Sequence, residues 1–117
     1  MGKHLVLVLA GDMKKLSFMS MFEHDFVLRW VMSIKAAEQL ASNDYFDFAL
    51  VNFDPDPERA IIFCETLKKI QPGTRIVFLK GAETRLPSEF CADLVIDSET
   101  TETELAGILQ GYLRRSA

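Results

Sequence analysis

In the stretch Phe46-Asp-Phe-Ala-Leu-Val-Asn52-Phe-Asp54-Pro-Asp56-Pro57, a continuous apolar run gives way to an acidic loop that contains two prolines. A short run of this kind predicts a strand buried on both faces of a sheet. The prolines end the strand because they have no amide hydrogen to donate to a neighbouring strand. In an open parallel sheet, ligands bind outside the carboxyl ends of the strands. We therefore expect Asn52, Asp54 and Asp56 to lie at a functional rim.

The composition of residues 1–117 is that of one globular domain, with 49% apolar and 26% charged residues. A net charge of −4 argues against direct binding to nucleic acid, which calls for a basic surface. The longest apolar run, Leu5–Ala10, is far shorter than the about 20 residues of a membrane helix. Cys64 and Cys91 have no Cys-x-x-Cys spacing and no secretory signal precedes them, which favours two reduced thiols used in packing. We expect a cytoplasmic protein with no nucleic-acid or membrane contacts.

Strand and helix patterns alternate along the chain. Apolar runs predict five strands, which cover residues 4–10, 25–32, 46–52, 75–79 and 92–96. Apolar residues at helical spacing predict helices at 13–23, 34–42, 58–70 and 102–115. The segment 83–90 has room for only about two helical turns and contains Pro87, so we expect an abbreviated fourth helix. Short connections form right-handed crossovers, which predicts an α/β fold: a five-stranded parallel sheet with helices on both faces.

Local signals also predict helix ends and packing. Ser33 is a suitable N-cap for the helix at 34–42, and Gln71-Pro-Gly73 ends the helix at 58–70. We expect Trp30 to be buried in the second strand. The side chains of the third helix expected to face the core are Ile61, Ile62, Leu67 and Ile70.

Four segments in register resemble the receiver domain of two-component response regulators: Tyr45-Phe-Asp-Phe-Ala-Leu-Val-Asn52, Ala36-Ala37, Ile76-Val-Phe-Leu79 and Cys91-Ala-Asp93. The resemblance spans essentially the whole chain. It implies a flavodoxin-like strand order of 2-1-3-4-5. It also implies a signalling domain that is not itself an enzyme and whose partner is a protein: a kinase, an output protein or a second copy of the chain.

The resemblance also assigns positions to the chemistry of the family. Receivers accept a phosphoryl group from a histidine kinase on an aspartate at the end of the third strand, beside a magnesium ion held by acids after the first strand. In this chain the acceptor position is Asn52, and an amide cannot replace the carboxylate nucleophile. The threonine or serine position after strand four is Lys80, the lysine position after strand five is Ser98, and Asp12 alone lies near the acid pair. The implied domain is a degenerate receiver without the acceptor aspartate.

Several alternatives remain open for the acidic rim. Asp12 and Asp54 are weak candidates for a divalent-cation site, but a solvated acidic loop is the ordinary interpretation, so we expect no metal and no cofactor. Lys80 either forms a permanent ion pair with Asp12 or Asp54, or points to solvent. Two other functions also fit the residues: a flavodoxin-like module that binds a small anion near Asn52 and Lys80, or a receiver phosphorylated at Asp54.

Overall fold

The computed structural model describes residues 4–10, 26–52, 56–81 and 84–97, together with positions 104, 107, 108 and 111. Its strands are β1 (His4–Ala10), β2 (Phe26–Val31), β3 (Phe48–Asn52), β4 (Arg75–Lys80) and β5 (Leu94–Asp97). They form one sheet in the order β2-β1-β3-β4-β5, and every neighbouring pair is parallel. This confirms the predicted strand number, direction and order.

Two helices are described in full, α1 (Ile34–Asn43) and α2 (Pro57–Ile70). Their buried side chains pack on one face of the sheet, against Leu7, Val51, Phe78 and their neighbours on that face. The side chains on the opposite face, such as Val8 and Leu50, are equally buried, as expected of a sheet that is covered on both faces. Positions 104, 107, 108 and 111 are helical, within the predicted last helix. The helix predicted at 13–23 lies outside the described residues.

The predicted Ser33 N-cap and the predicted end of the helix at Gln71-Pro-Gly73 are confirmed. The Ser33 hydroxyl accepts a hydrogen bond from the Ala36 amide at 3.1 Å and caps α1. Asp56 caps α2 in the same way, accepting from the Arg59 amide at 3.2 Å, and Pro57 begins the helix. α2 ends at Ile70 with Gln71 as its C-cap. Asp56, which we expected at a functional rim, is therefore engaged in a structural role.

Two packing predictions on α2 are wrong. Ile62 and Ile70 are exposed, with 62% and 54% of their surfaces accessible, whereas Ile61 and Leu67 are buried as expected. The buried stripe of the helix follows positions 60, 63, 64 and 67, the spacing of one helical face. Ile62 is on the other side of the helix because each residue turns the helix by about 100°. Ile70 is on the same side as Phe63 and Leu67, and it is exposed at the last residue of the helix.

The prediction that Trp30 is buried is also wrong. It is 47% exposed, because β2 pairs with β1 alone and forms one edge of the sheet. The central strands β1 and β3 carry the uninterrupted apolar runs, whereas the edge strand β2 includes the exposed Arg29.

The abbreviated fourth helix predicted within 83–90 is not found in the described part of that segment. Residues 84–90 form no helix. The Phe90 ring instead meets Phe78 edge-on at a centroid distance of 5.0 Å, and Leu86, Cys91 and Ala92 pack against the same core. Side chains of an irregular segment thus cover part of the sheet that a longer helix would otherwise cover.

Candidate functional site

Two aspartates of the family-like segments are structural and lie at the amino-terminal edge of the sheet. Asp47 precedes β3, and its Oδ2 accepts a hydrogen bond from the Leu5 amide in β1 at 2.9 Å. Asp93 precedes β5, and its Oδ2 accepts from the Ile76 amide in β4 at 2.8 Å and from Lys68 Nζ at 2.7 Å. Each carboxylate therefore binds an amide near the start of the neighbouring strand. Both acids are at the opposite edge from Asn52.

Three strands end in polar side chains at the carboxyl-terminal edge. Asn52 is the last residue of β3 and pairs with Ala10, the last residue of β1. Lys80 is the last residue of β4 and pairs with Asp97, the last residue of β5. The parallel register thus places Asn52, Lys80 and Asp97 at one edge of the sheet, and this edge is the candidate functional site.

Asp97 was missed as a site residue in the sequence. It follows the apolar run of the fifth strand, which the sequence pattern ends at residue 96, and precedes Ser98. The structure shows that it completes β5 and lies opposite Lys80. The signal that would have found it is the register of β4 against β5, which sequence periodicity does not determine.

The Asn52 side chain is enclosed. Only 8% of its surface is accessible, and its Oδ1 atom is buried with no hydrogen-bond partner anywhere in the described part of the chain. A buried acceptor without a donor costs about 1–3 kcal/mol. The end of β3 therefore carries a neutral group with unused hydrogen-bonding capacity, and that group is not a nucleophile for phosphoryl transfer.

Lys80 is partly buried, and its Nζ lies 3.5 Å from the Gly81 carbonyl oxygen, at the outer limit of a hydrogen bond. Asp12, Asp54 and Ser98 lie outside the described residues. The ion pair of Lys80 with Asp12 or Asp54 therefore stays a prediction, and so does a cation site formed by those two acids. Among the residues that are described, no group of three histidine, cysteine, aspartate or glutamate side chains is arranged to hold a metal ion.

The two cysteines are free thiols that pack against the core. Burial raises the pKa of Cys64 far above its ordinary value, and the nearby Cys91 and Glu65 raise it further. Burial also raises the pKa of Cys91. Because the thiolate is the reactive form, both side chains are poor nucleophiles at neutral pH.

Within the described residues, no helix has the length and apolar character needed to cross a membrane.

No protein-family model matches the sequence, and no curated protein matches it. Similar solved structures include receiver domains of response regulators. The CheY-like receiver domain from Methylobacillus flagellatus is 19% identical, with a TM-score of 0.77 over 94% of this chain and 98% of that one. The CheY-like receiver domain from Methanospirillum hungatei JF-1 is 17% identical, with a TM-score of 0.82 over 97% of this chain and 96% of that one. An orphan response regulator of H. pylori is 14% identical, with a TM-score of 0.77 over 94% of this chain and 96% of that one. Similarity at this level establishes the receiver fold.

Proposed function

We propose that this chain is a degenerate receiver domain: it accepts no phosphoryl group and signals through contact with another protein. The observation that carries the proposal is Asn52, a buried amide at the end of β3. The resemblance in sequence and the likeness in fold to receiver domains support the signalling role. We also propose that the domain is not an enzyme and that it is located in the cytoplasm.

The geometry of β3 supports Asn52, rather than a neighbouring acid, as the residue in the acceptor position. Asn52 is the last residue that pairs within the sheet. Asp54 follows two residues later, and Asp56 is already engaged as the N-cap of α2. In-line phosphoryl transfer depends on positioning to within about 1 Å, so a carboxylate at another position of the chain does not replace one at the end of the strand.

Exposed side chains at the edge of the sheet supply a contact surface. Arg29, Trp30 and Met32 are all exposed on β2 or directly after it. Arginine, tryptophan and methionine are enriched in the cores of protein interfaces, and tryptophan and arginine are frequent among residues that dominate binding energy. This surface suits a protein partner, whether a kinase, an output protein or a second copy.

Treatment with acetyl phosphate and magnesium, followed by intact-mass measurement, tests the missing acceptor. We expect no phosphoryl adduct on the natural chain, because the amide of Asn52 does not attack phosphorus. Asn52→Asp tests the position itself, since it supplies a carboxylate there. An adduct on the natural chain that Asp54→Ala removes would overturn the proposal in favour of a receiver phosphorylated at Asp54.

A photo-crosslinking amino acid at position 30 tests the contact surface in cells that naturally contain the protein. We expect a defined crosslinked protein from position 30. The matched control is position 62, which is exposed on the outer face of α2. Equal crosslinking from both positions would contradict a specific contact at the β2 edge.

A further inference from the structure

We propose that Cys64 of α2 and Cys91, in the irregular segment before β5, form a reversible disulfide when the protein meets an oxidant such as glutathione disulfide. Both thiols are free in the structure. The bond joins α2 to the segment that precedes β5. In cytoplasmic proteins, disulfides that form are transient, catalytic or redox-sensing. The inference goes beyond the proposed function, because the pair takes no part in accepting or refusing a phosphoryl group.

The contact between α2 and the start of β5 brings the two cysteine positions together. The Lys68 ammonium donates to Asp93 Oδ2 at 2.7 Å, and the Asp93 amide donates to the Ile76 carbonyl oxygen at 2.9 Å. Cys64 precedes Lys68 by four residues, so the two side chains lie on the same face of α2, one turn apart. Cys91 precedes Asp93 by two residues. The ion pair therefore aligns the two cysteines across one junction.

An aromatic contact fixes where Cys91 lies along β4. Phe90 packs edge-on against Phe78 at a centroid distance of 5.0 Å, whereas Asp93 binds the backbone of Ile76, two residues earlier in the strand. The chain from Phe90 to Asp93 thus runs back along β4, and Cys91 lies between the two contacts. Both β4 residues belong to the same buried cluster as the cysteine of α2, and Cys91 packs against that cluster.

The environment of the buried thiol supports this placement. Burial is the main cause that raises the pKa of Cys64, and the second cause is the charge of the Cys91 thiolate. Coulomb interactions fall with distance, so this effect is expected of two thiols that lie close together.

The two thiols differ in exposure, and the difference sets the order of the reaction. Cys64 is fully buried and Cys91 is partly buried, so an oxidant from solvent reaches Cys91 first. A disulfide needs the two Cβ atoms about 3.5–4.5 Å apart. Residues 84–90 form no helix, so this segment adjusts its backbone at lower cost than α2, whose helical hydrogen bonds would have to break.

The reaction is two successive thiol–disulfide exchanges. The Cys91 thiolate attacks one sulfur of glutathione disulfide, and one glutathione leaves with the electron pair of the broken S–S bond. The Cys64 sulfur then attacks the Cys91 sulfur of the mixed disulfide, and the second glutathione leaves. The two cysteine protons pass through solvent to the glutathione thiolates. The cysteine pair is oxidised by two electrons, and one glutathione disulfide is reduced to two glutathione thiols.

The protonated state of both thiols sets the speed of this exchange. Burial raises the pKa of each cysteine, and the thiolate is the attacking form. Exchange is therefore slow, and the pair responds to sustained rather than brief oxidation. Low-pKa thiols stabilise the reduced form of a disulfide pair, and neither cysteine here has that property.

Incubation of the folded chain with glutathione disulfide, followed by intact-mass measurement without reductant, tests the pair. We expect the mass to fall by about 2 Da, the two hydrogens lost when one disulfide forms. Dithiothreitol restores the original mass, and peptide mapping places the bond between residues 64 and 91. An unchanged mass after prolonged incubation would overturn the inference, as would a mixed disulfide that persists on Cys91.

Two single variants are matched controls, and circular dichroism checks that each is folded. Cys64→Ala leaves Cys91 without a partner, so we expect the mixed disulfide to accumulate and the mass to rise by that of one bound glutathione. Cys91→Ala leaves only the buried thiol, so we expect no adduct while the protein is folded. A glutathione adduct on Cys91→Ala would overturn the assigned order of reaction, because it would show that oxidant reaches Cys64 directly.

Hydrogen exchange of the amides in 84–92 tests what the bond does. We expect slower exchange in the oxidised chain than in the reduced chain, because the bond ties this segment to α2. The amides of α1, which the bond does not join, serve as the internal reference. Equal exchange of 84–92 in the two states would show that the bond does not restrain the segment. A phosphoryl adduct in the acetyl phosphate experiment refutes the degenerate receiver and leaves the cysteine pair unaffected.

Discussion

Asn52 shows how one functional group sets the chemistry of the whole edge. Its position, at the end of a buried parallel strand, is where the fold supports chemistry. An amide in this position brings no negative charge to a metal ion and has no nucleophilic oxygen. It does keep a carbonyl acceptor, which the structure leaves buried and unpartnered among the described residues.

Replacing Asn52 with leucine tests whether the acceptor is unpartnered. Leucine has the same branching at Cγ and no polar atom to desolvate, so we expect the free energy of unfolding to stay the same or rise by about 1 kcal/mol. Urea denaturation measures the change. A loss of more than about 2 kcal/mol would show that the Asn52 oxygen has a donor in the folded protein.

At the scale of elements, one buried side chain joins a helix end to two strands. Gln71 Nε2 donates to the carbonyl oxygens of Ala41 and Asp44 at the end of α1, at 2.7 Å each. Gln71 Oε1 accepts from the Phe46 amide ahead of β3 at 2.9 Å. The Thr74 hydroxyl, ahead of β4, lies 2.7 Å from the Phe46 carbonyl oxygen and 2.9 Å from Gln71 Oε1. Because a hydroxyl has one proton, it donates to one of these two acceptors at a time. Because one amide group satisfies three backbone groups and contacts the Thr74 hydroxyl, its loss affects all of them at once.

We expect Gln71→Ala to lower the free energy of unfolding by about 2–4 kcal/mol, because it removes the hydrogen-bond partner of one buried carbonyl, one partly buried carbonyl and one buried amide. Gln71→Glu keeps the size and one acceptor but puts an oxygen against the two carbonyls, so we expect a loss at least as large at neutral pH. Gln39→Ala is the control: Gln39 is exposed on α1 and the change should stay within about 0.5 kcal/mol. A loss below about 1 kcal/mol for Gln71→Ala would show that water replaces the amide.

At the scale of the whole molecule, the core between the sheet and the two described helices encloses an ionisable thiol. Cys64 is fully buried among apolar side chains, and burial raises its pKa far above the ordinary value of about 9.0. The folded protein therefore keeps the proton at a pH where the unfolded chain releases it. Above pH 9 the unfolded state binds fewer protons than the folded state, so stability falls as pH rises.

Between pH 8 and pH 10 we expect the natural chain to lose roughly 1.4 kcal/mol more stability than Cys64→Ala, the effect of one thiol over one pH unit above its unfolded pKa. The comparison is made on the change with pH, because the alanine variant is less stable at every pH through its smaller side chain. All other ionisable groups are common to the two proteins, so most of their contribution to the pH dependence cancels in the difference. Parallel pH profiles would show that the Cys64 thiol ionises as readily in the folded protein as in the unfolded one.

The sequence alone determined the strand positions, the parallel α/β class and the amide at the end of β3, because period, run length and cap residues are local properties. Only the tertiary structure decided that Trp30 is at an edge and that Ile62 and Ile70 are exposed. It also decided that Asp97 lies opposite Lys80. The same holds for Asp47 and Asp93, which bind backbone amides of other strands. These features depend on strand register, on which strand lies at an edge and on the helix face that meets the sheet. Each depends on residues that are distant in the chain, and the local sequence pattern does not specify which residues those are.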